Sequence, residues 1–318
     1  MANVAYPGAT GITGKTEAAT FIPEIWSDEI IASYEKNLVL ANLVNRMPMT
    51  GKKGDVIHIP KPTRGQANEK VENTVVKIQA NTESEVQVQI NKHYEYSRMI
   101  EDIVDVQALN SLRQFYTSDA GYALALQVDT HLADLALTLD NTAGASSSDT
   151  TAIKSYYQVT ASTGALADYA DSGTLADLTA DGVFDKALRN MIQKLDDQDV
   201  PMDGRSLVIP PSIRNTIMGI DRYVSSDFVA GQPVQNGLIG NLYGVDIYVT
   251  NNCKTHTGTT KSGTVMMLLQ RDAFVFAEQM GVRTQTQYKQ EYLGDLFTAD
   301  TLYGTATLRK ENAVAVLV

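Results

Sequence analysis

The stretch whose residue types come nearest to a known reaction chemistry is GATGITGKT at residues 8–16. A loop that cradles phosphates with its backbone N–H groups needs a glycine five positions before the glycine that precedes the lysine. Here that position is Ala9, and Gly8 stands one residue too early. No hydrophobic strand leads into the loop either, so it reads as part of a surface arm. The four histidines, His58, His93, His131 and His256, show no i, i+3 or i, i+4 pairing of the kind a metal requires. No G-x-S-x-G turn raises a nucleophilic serine. Cys253 sits in a polar loop and reads as a free surface thiol; His256 is close in sequence, but a base must be close in space. Acidic clusters occur at Glu101/Asp102/Asp105 and Asp196/Asp197/Asp199/Asp203. Neither has the spacing of a calcium loop, with its bidentate carboxylate at position twelve. Carboxylates near a helix start are favourable to its dipole, which accounts for the first cluster. The expectation is therefore no catalytic, cofactor-binding or metal-binding residue, no cofactor, and no enzyme.

The composition points the same way. The chain has 318 residues, 43% hydrophobic and 20% charged, with a formal net charge of -11. Such a chain can bury a large core and leans toward two domains. A strong nucleic-acid binder needs a clustered basic surface, which this balance argues against. An acidic wall could still enclose nucleic acid without gripping it. One cysteine excludes an intrachain disulfide. No apolar run is long enough to span a bilayer as a helix, and the first residues lack the basic start and apolar core of a secretory signal.

The element that must position everything else is the stretch from Ser111 to Asp140. Its apolar residues Leu112, Phe115, Tyr116, Leu124, Val128, Leu132, Leu135 and Leu139 recur at helical spacing. A helix of about 30 residues would span roughly 45 Å, long enough to act as a spine. Asp119, Asp129 and Asp134 fall mostly off the stripe, where water can solvate them. Gly121 is the weak point, costing up to about 1 kcal/mol against alanine, and marks a place for a bend. Before the spine, residues 1–20 read as an arm. Trp26, Ile30, Tyr34 and Leu38 then form an amphipathic helical stripe that closes at Met47-Pro48.

Residues 50–97 change character. GKKGDVIHIPKP gives a short strand with prolines suited to an edge. Val86, Val88 and Ile90 alternate with Gln87 and Gln89 as in a strand with one apolar face. A partner strand around Val75–Ile78, turning at Asn81-Thr82, would complete a hairpin whose apolar row needs cover. After the spine, residues 141–182 are dominated by Ser, Thr, Ala, Asp and Gly. They read as a surface excursion with a short strand at Tyr156–Val159 and a helical turn at Ala165–Tyr169. Phe184, Leu188, Met191, Ile192 and Leu195 then mark an amphipathic helix capped by Thr179 or Asp181. RSLVIP, the helix from Pro211, GVDIYVT and TVMMLLQ alternate as a mixed α/β block. FVFAEQ, VRTQTQY, TLYGTATL and AVAVLV are strand-like, punctuated by Gly281, Gly294 and Gly304.

In order and spacing, four stretches resemble the major capsid proteins of tailed bacteriophages, which share the Hong Kong 97-type fold. They are FIPEIWSDEIIASYEKNLVLANLVNR, DGRSLVIPPSIRNTI, GNLYGVDIYVTNN and the segment from MGVRTQTQYKQEYLGD to the end. The resemblance implies an α+β chain with residues 1–50 as an N-terminal arm and 51–97 as an extended hairpin loop reaching a neighbouring subunit. Residues 98–142 and 271–318 would form a peripheral domain around the spine helix. Residues 143–182 would be a variable insertion, and 183–270 an axial domain. The implied function is a shell: copies of the chain form pentamers and hexamers of an icosahedral capsid enclosing double-stranded DNA, in a virion assembled in the bacterial cytoplasm. Val86, Val88 and Ile90 would make the inter-subunit contact, and Gly121 would be the spine's bend. Expected partners are a separate scaffolding protein, a portal protein and a decoration protein. An encapsulin-like nanocompartment shell shares the fold, and a two-domain α/β enzyme is the alternative of a different class.

Overall fold

Among the described residues the alternating and helical patterns become three sheets and one long helix. The computed structural model describes residues 39–49, 54–62, 65, 67–78, 83–101, 111–139, 157–159, 164–168, 175–176, 178, 182–220, 240–257 and 262–318. The arm with its 8–16 loop, the Trp26–Tyr34 stripe, the loop 221–239 and most of the 143–182 excursion lie outside the described residues. So do Asp102, Asp105, Thr179 and Asp181.

In chain order, a short helix α1 (Leu40–Leu43) leads to strand β1 (Asn45–Pro48). The helical stripe thus ends before Val44, and the residues up to Pro48 are extended, as the backbone restriction before proline requires. Strands β2 (Val56–Pro62) and β3 (Glu83–Gln89) follow, then β4 (Lys92–Glu101) and the spine helix α2 (Ser111–Asp134). Helix α2 has 24 residues and runs unbroken through Gly121, about 36 Å long. It is shorter than its stripe predicts because the backbone tightens into a 3-10 turn at Leu135–Thr138. The break therefore comes at Leu135 and not around Ser118–Gly121.

Beyond α2 come β5 (Tyr157–Val159), β6 (Leu166–Asp168), α3 (Val183–Asp196), β7 (Arg205–Ile209) and α4 (Pro211–Met218). Residues 166–168 are a strand and not the predicted helical turn, because they pair with β5. Helix α3 has Gly182 as its N-cap, with φ 73° and no side-chain cap. Strands β8 (Asn241–Leu242), β9 (Val245–Val249), β10 (Thr255–Thr257), β11 (Ser262–Gln270), β12 (Phe274–Lys289), β13 (Gly294–Thr307) and β14 (Ala313–Leu317) complete the chain. FVFAEQ and VRTQTQY are one strand, β12, with register shifts between Glu278 and Arg283.

Two main sheets result. One is four-stranded, in the order β1-β12-β13-β4. The other is eight-stranded, in the order β6-β5-β14-β11-β7-β9-β8, with β10 added on β11. In the second, β7 and β9 are parallel, as a strand–helix–strand crossover through α4 demands. Within the closing AVAVLV, residues Ala313–Leu317 are all buried and pair with β11. Residues 313–317 thus belong to the sheet of the α/β block, not with the rest of 271–318, because two apolar faces need a central strand position. The second half of α2 and the turn after it pack where the sheets meet: Leu132 of the helix and Leu139 beyond the turn share a core with Phe276 and Tyr303 and with Val208 and Met267.

Candidate assembly interface

The alternating face of β3 needs a second apolar row, and β2 supplies it. Ile57 lies opposite Val88 and Ile59 opposite Val86, so apolar side chains pair across the ribbon on one face. The other face is polar. His58 Nδ1 lies 3.0 Å from Glu85 Oε2, and Gln87 Nε2 donates to Glu85 Oε1 at 2.6 Å. The bonds from Gln87 and then His58 hold the Glu85 carboxyl below its ordinary value. The predicted partner at Val75–Ile78 is not a strand; the ribbon closes on residues 56–62 instead.

The four-stranded sheet is clasped from both sides. Along β13, Phe297 and Ala299 pack on Ala120 and Leu124 of the spine helix. Leu302 and Ala306 point the other way, into a cluster with Val88, Ile90, Val275 and Ala277. Val88 is 0% exposed and Ile90 7%. The expectation that these residues bury area against a neighbouring subunit is therefore corrected for Val88 and Ile90: their surface is already spent inside their own chain. Val86 is half-buried. Gly304 explains how the ribbon lies so close. A Cβ there would stand 2.3 Å from the Gln89 carbonyl oxygen, an approach only glycine permits.

Between β2 and β3, the described residues 67–78 are all exposed. Asn73, at φ 58°, makes a turn fixed by Thr74 Oγ1 donating to the Val71 carbonyl at 2.7 Å. Asparagine tolerates that left-handed backbone better than most residues. Around the turn Val75 is 93% exposed and Ile78 95%; Val71 and Val76 are exposed as well. Lys70, Lys77, Glu69 and Glu72 are interleaved with them. Grouped exposed apolar side chains are the kind of feature from which interaction surfaces are made. By sequence these valines and this isoleucine read as a strand, and no periodicity announces their exposure.

The residues tested for reaction chemistry lie apart. His93 Nε2 lies 3.1 Å from Asp300 Oδ2. The Arg283 guanidinium grips the same carboxylate from Nε at 3.0 Å and Nη2 at 2.8 Å. Arg283 is the main reason that the Asp300 carboxyl lies below its usual range. His131 sits between the hydroxyls of Tyr303 and Tyr94, and His256 is buried in β10. Asp196 pairs with the buried Arg205 at 2.7 Å, while Asp197, Asp199 and Asp203 are exposed. Among the described residues no three His, Cys, Asp or Glu side chains gather as a metal-ligand set.

Cys253 is a correction. It is half-buried against the core rather than a surface thiol, and its Sγ donates to the Thr250 carbonyl. Burial, then the nearby Asp129, push its thiol up to about 12, so it is protonated and unreactive at neutral pH. The cavity beside it, lined by Leu40, Ala133, Val208 and Met267, measures about 10 Å³, room for one water at most. Asp129 also departs from expectation. It is fully buried and accepts the N–H groups of Leu40 at 2.8 Å and Ala41 at 3.3 Å. Asn252 Nδ2 donates to its other oxygen at 3.1 Å. One carboxylate thus ties the start of α1, the spine helix and the 250–253 turn together.

These elements build two packed sheets and one loop that exposes Val71, Val75, Val76 and Ile78. The phage capsid protein family matches residues 84–316, well over half of the chain, and the chain belongs to that family: it is a bacteriophage virion structural protein. No curated protein matches the sequence. Among solved structures, a chain of Mycobacterium phage Che8 is 24% identical with a TM-score of 0.69, covering 93% of this chain and 97% of that one. The capsid structure of cyanophage P-SCSP1u gives 14% identity and a TM-score of 0.71, covering 94% and 93%. The capsid of a native GTA particle gives 10% and 0.65, covering 97% and 99%. At these identities the likeness is one of fold.

Proposed function

We infer that copies of this chain tile a closed icosahedral shell around double-stranded DNA, in the Hong Kong 97-type arrangement. The observation that carries the reading is the loop at 67–78, whose Val75 and Ile78 are almost wholly exposed although a single chain gains nothing from holding them there. Membership of the capsid family supplies the occupant: a neighbouring copy. Each such contact buries apolar area at roughly 25 cal/mol per Å² before ordering costs. Modest contacts multiply when every subunit holds several neighbours, and a closed shell repeats a few interface types by symmetry. The inter-subunit role expected of β3 passes to Val71, Val75, Val76 and Ile78, with the half-buried Val86 at their margin.

The remaining regions take their parts from the same reading. Residues 1–50 are the arm and 51–97 the extended loop. The four-stranded sheet with α2 is the peripheral domain, 143–182 the variable insertion, and the eight-stranded sheet with α3 and α4 the axial domain, now including β14. Gly121, where an added methyl would meet nothing within 4 Å outside its own helix, is where α2 bends as the shell matures. The net charge of -11 suits a container from which DNA must later slide. A separate scaffolding protein and a portal protein act during assembly in the host cytoplasm, and a decoration protein binds the finished shell. Electron microscopy of the full chain expressed with its scaffolding protein tests the reading. Closed icosahedral particles are expected; a sample that stays monomeric or dimeric overturns it.

A further inference from the structure

The spine helix is fastened to the four-stranded sheet at two polar points: toward its start the Tyr96 hydroxyl donates to Asp119 Oδ2 at 2.7 Å, and further along His131 meets two tyrosine hydroxyls. His131 Nδ1 lies 2.8 Å from the Tyr303 hydroxyl, and His131 Nε2 lies 3.1 Å from the Tyr94 hydroxyl. The three rings form a triangle, with centroids 5.2, 5.9 and 6.2 Å apart, and Phe276 closes on Tyr303 from behind at 5.7 Å. Tyr303 is 0% exposed; Tyr94 and His131 are half-buried.

A neutral imidazole has one N–H and one bare nitrogen. One tyrosine hydroxyl therefore donates to the ring and the other accepts from it; Tyr303, fully buried, has the ring as the partner for its hydrogen and donates to Nδ1, while the partly exposed Tyr94 accepts from the Nε2–H. An imidazolium has two N–H groups and no acceptor. The hydroxyl that donated must then turn its hydrogen elsewhere. Tyr94 can turn to water; Tyr303, enclosed by Phe276 and the core, cannot. A buried hydroxyl left without a partner is costly.

We propose that the Tyr94–His131–Tyr303 triad is a proton-sensitive clasp, which holds the spine helix on strands β4 and β13 while His131 is neutral and loosens it when His131 gains a second proton. The charged groups facing His131 agree with this. From β4, Lys92 presents an ammonium that donates to Thr305 Oγ1 at 2.7 Å. From the helix itself Asp134 opposes it, but Asp134 is engaged by Lys254 at 2.6 Å. Burial first, and then Lys92, hold His131 below its ordinary value, with Asp134 acting the other way. A histidine lowered in the fold binds protons more readily when released. The clasp is therefore at full strength above the ordinary histidine value of about 6.5 and weakens as the pH falls from there through the lowered value. It rests on the fold alone and does not depend on the shell reading.

Hydrogen exchange of the full chain at pH 7.5 and pH 5.5, with times scaled to the intrinsic rate, reads the clasp directly. Sedimentation at both pH values ensures that the same assembly state is compared. Acid should cost peptides within 124–134, 92–101 and 297–303 a several-fold loss of protection, while 265–269 stays unchanged. His131→Gln, which keeps polar atoms but cannot charge, should abolish the loss. Tyr303→Phe, a milder change, should shrink it by removing the hydroxyl that has nowhere to turn. An intact chain with no acid loss, or an undiminished loss in either variant, overturns the proposal.

Discussion

The two ends of the ribbon carry the same kind of residue and put it to opposite uses. At the root, Val88 and Ile90 are enclosed between the ribbon and the four-stranded sheet. Along the loop, Val75 and Ile78 stand in water. The difference separates two jobs that one apolar stretch could be thought to share. Root valines hold the ribbon to its own chain and so fix the direction in which it projects. Loop residues are left for what the ribbon projects toward. A substitution should therefore act on folding or on assembly according to which end it hits.

Val88→Asp should give the largest effect on the subunit itself. A carboxylate placed there is buried without a partner, at a cost of about 3 kcal/mol or more. Urea unfolding followed by circular dichroism should show the loss in isolated chains, and a stable Val88→Asp subunit would erase the distinction between root and loop. Gly304→Ala comes next, at about 1–3 kcal/mol, since the added methyl meets the Gln89 carbonyl and must push the ribbon off the sheet. Loss of protection confined to 83–90 and 302–306 in hydrogen exchange would locate the strain there. Gly121→Ala should go the other way, stabilising by up to about 1 kcal/mol, because open space surrounds the site. The same change should hinder maturation; a helix of identical shape in immature and mature shells would remove the bend assigned to Gly121. Smallest for the subunit is Val75→Asp with Ile78→Asp, within about 0.5 kcal/mol of the parent at these exposed positions.

Much of this frame is legible in the sequence because hydrophobic period reports burial directly. Leu124, Val128, Leu132, Leu135 and Leu139 announce the spine helix, and all are buried. RSLVIP, GVDIYVT and AVAVLV are strands by their composition. Pairing is harder. The alternation of Val86, Val88 and Ile90 implies a partner row, and Ile57 with Ile59 has the matching period, but Pro60 and Pro62 suggest an edge and Val75–Ile78 lies nearer. Periodicity also says nothing about polar residues that the fold encloses for a purpose. Asp129 reads as solvated, yet the backbone N–H groups of Leu40 and Ala41 converge on it. Cys253 reads as exposed because its loop is polar, although the loop folds back on the core. His131 is, by sequence, simply a histidine on a helix; no local pattern can name Tyr94 and Tyr303, which come from strands far away in the chain.

The central claim is that the loop and not the ribbon's root joins subunits. The most direct measurement is electron microscopy and sedimentation of the Val75→Asp/Ile78→Asp chain beside the parent, each expressed with the scaffolding protein, after circular dichroism has shown equal folding. The account predicts folded subunits that fail to close shells. Normal shells at parental yield would contradict it.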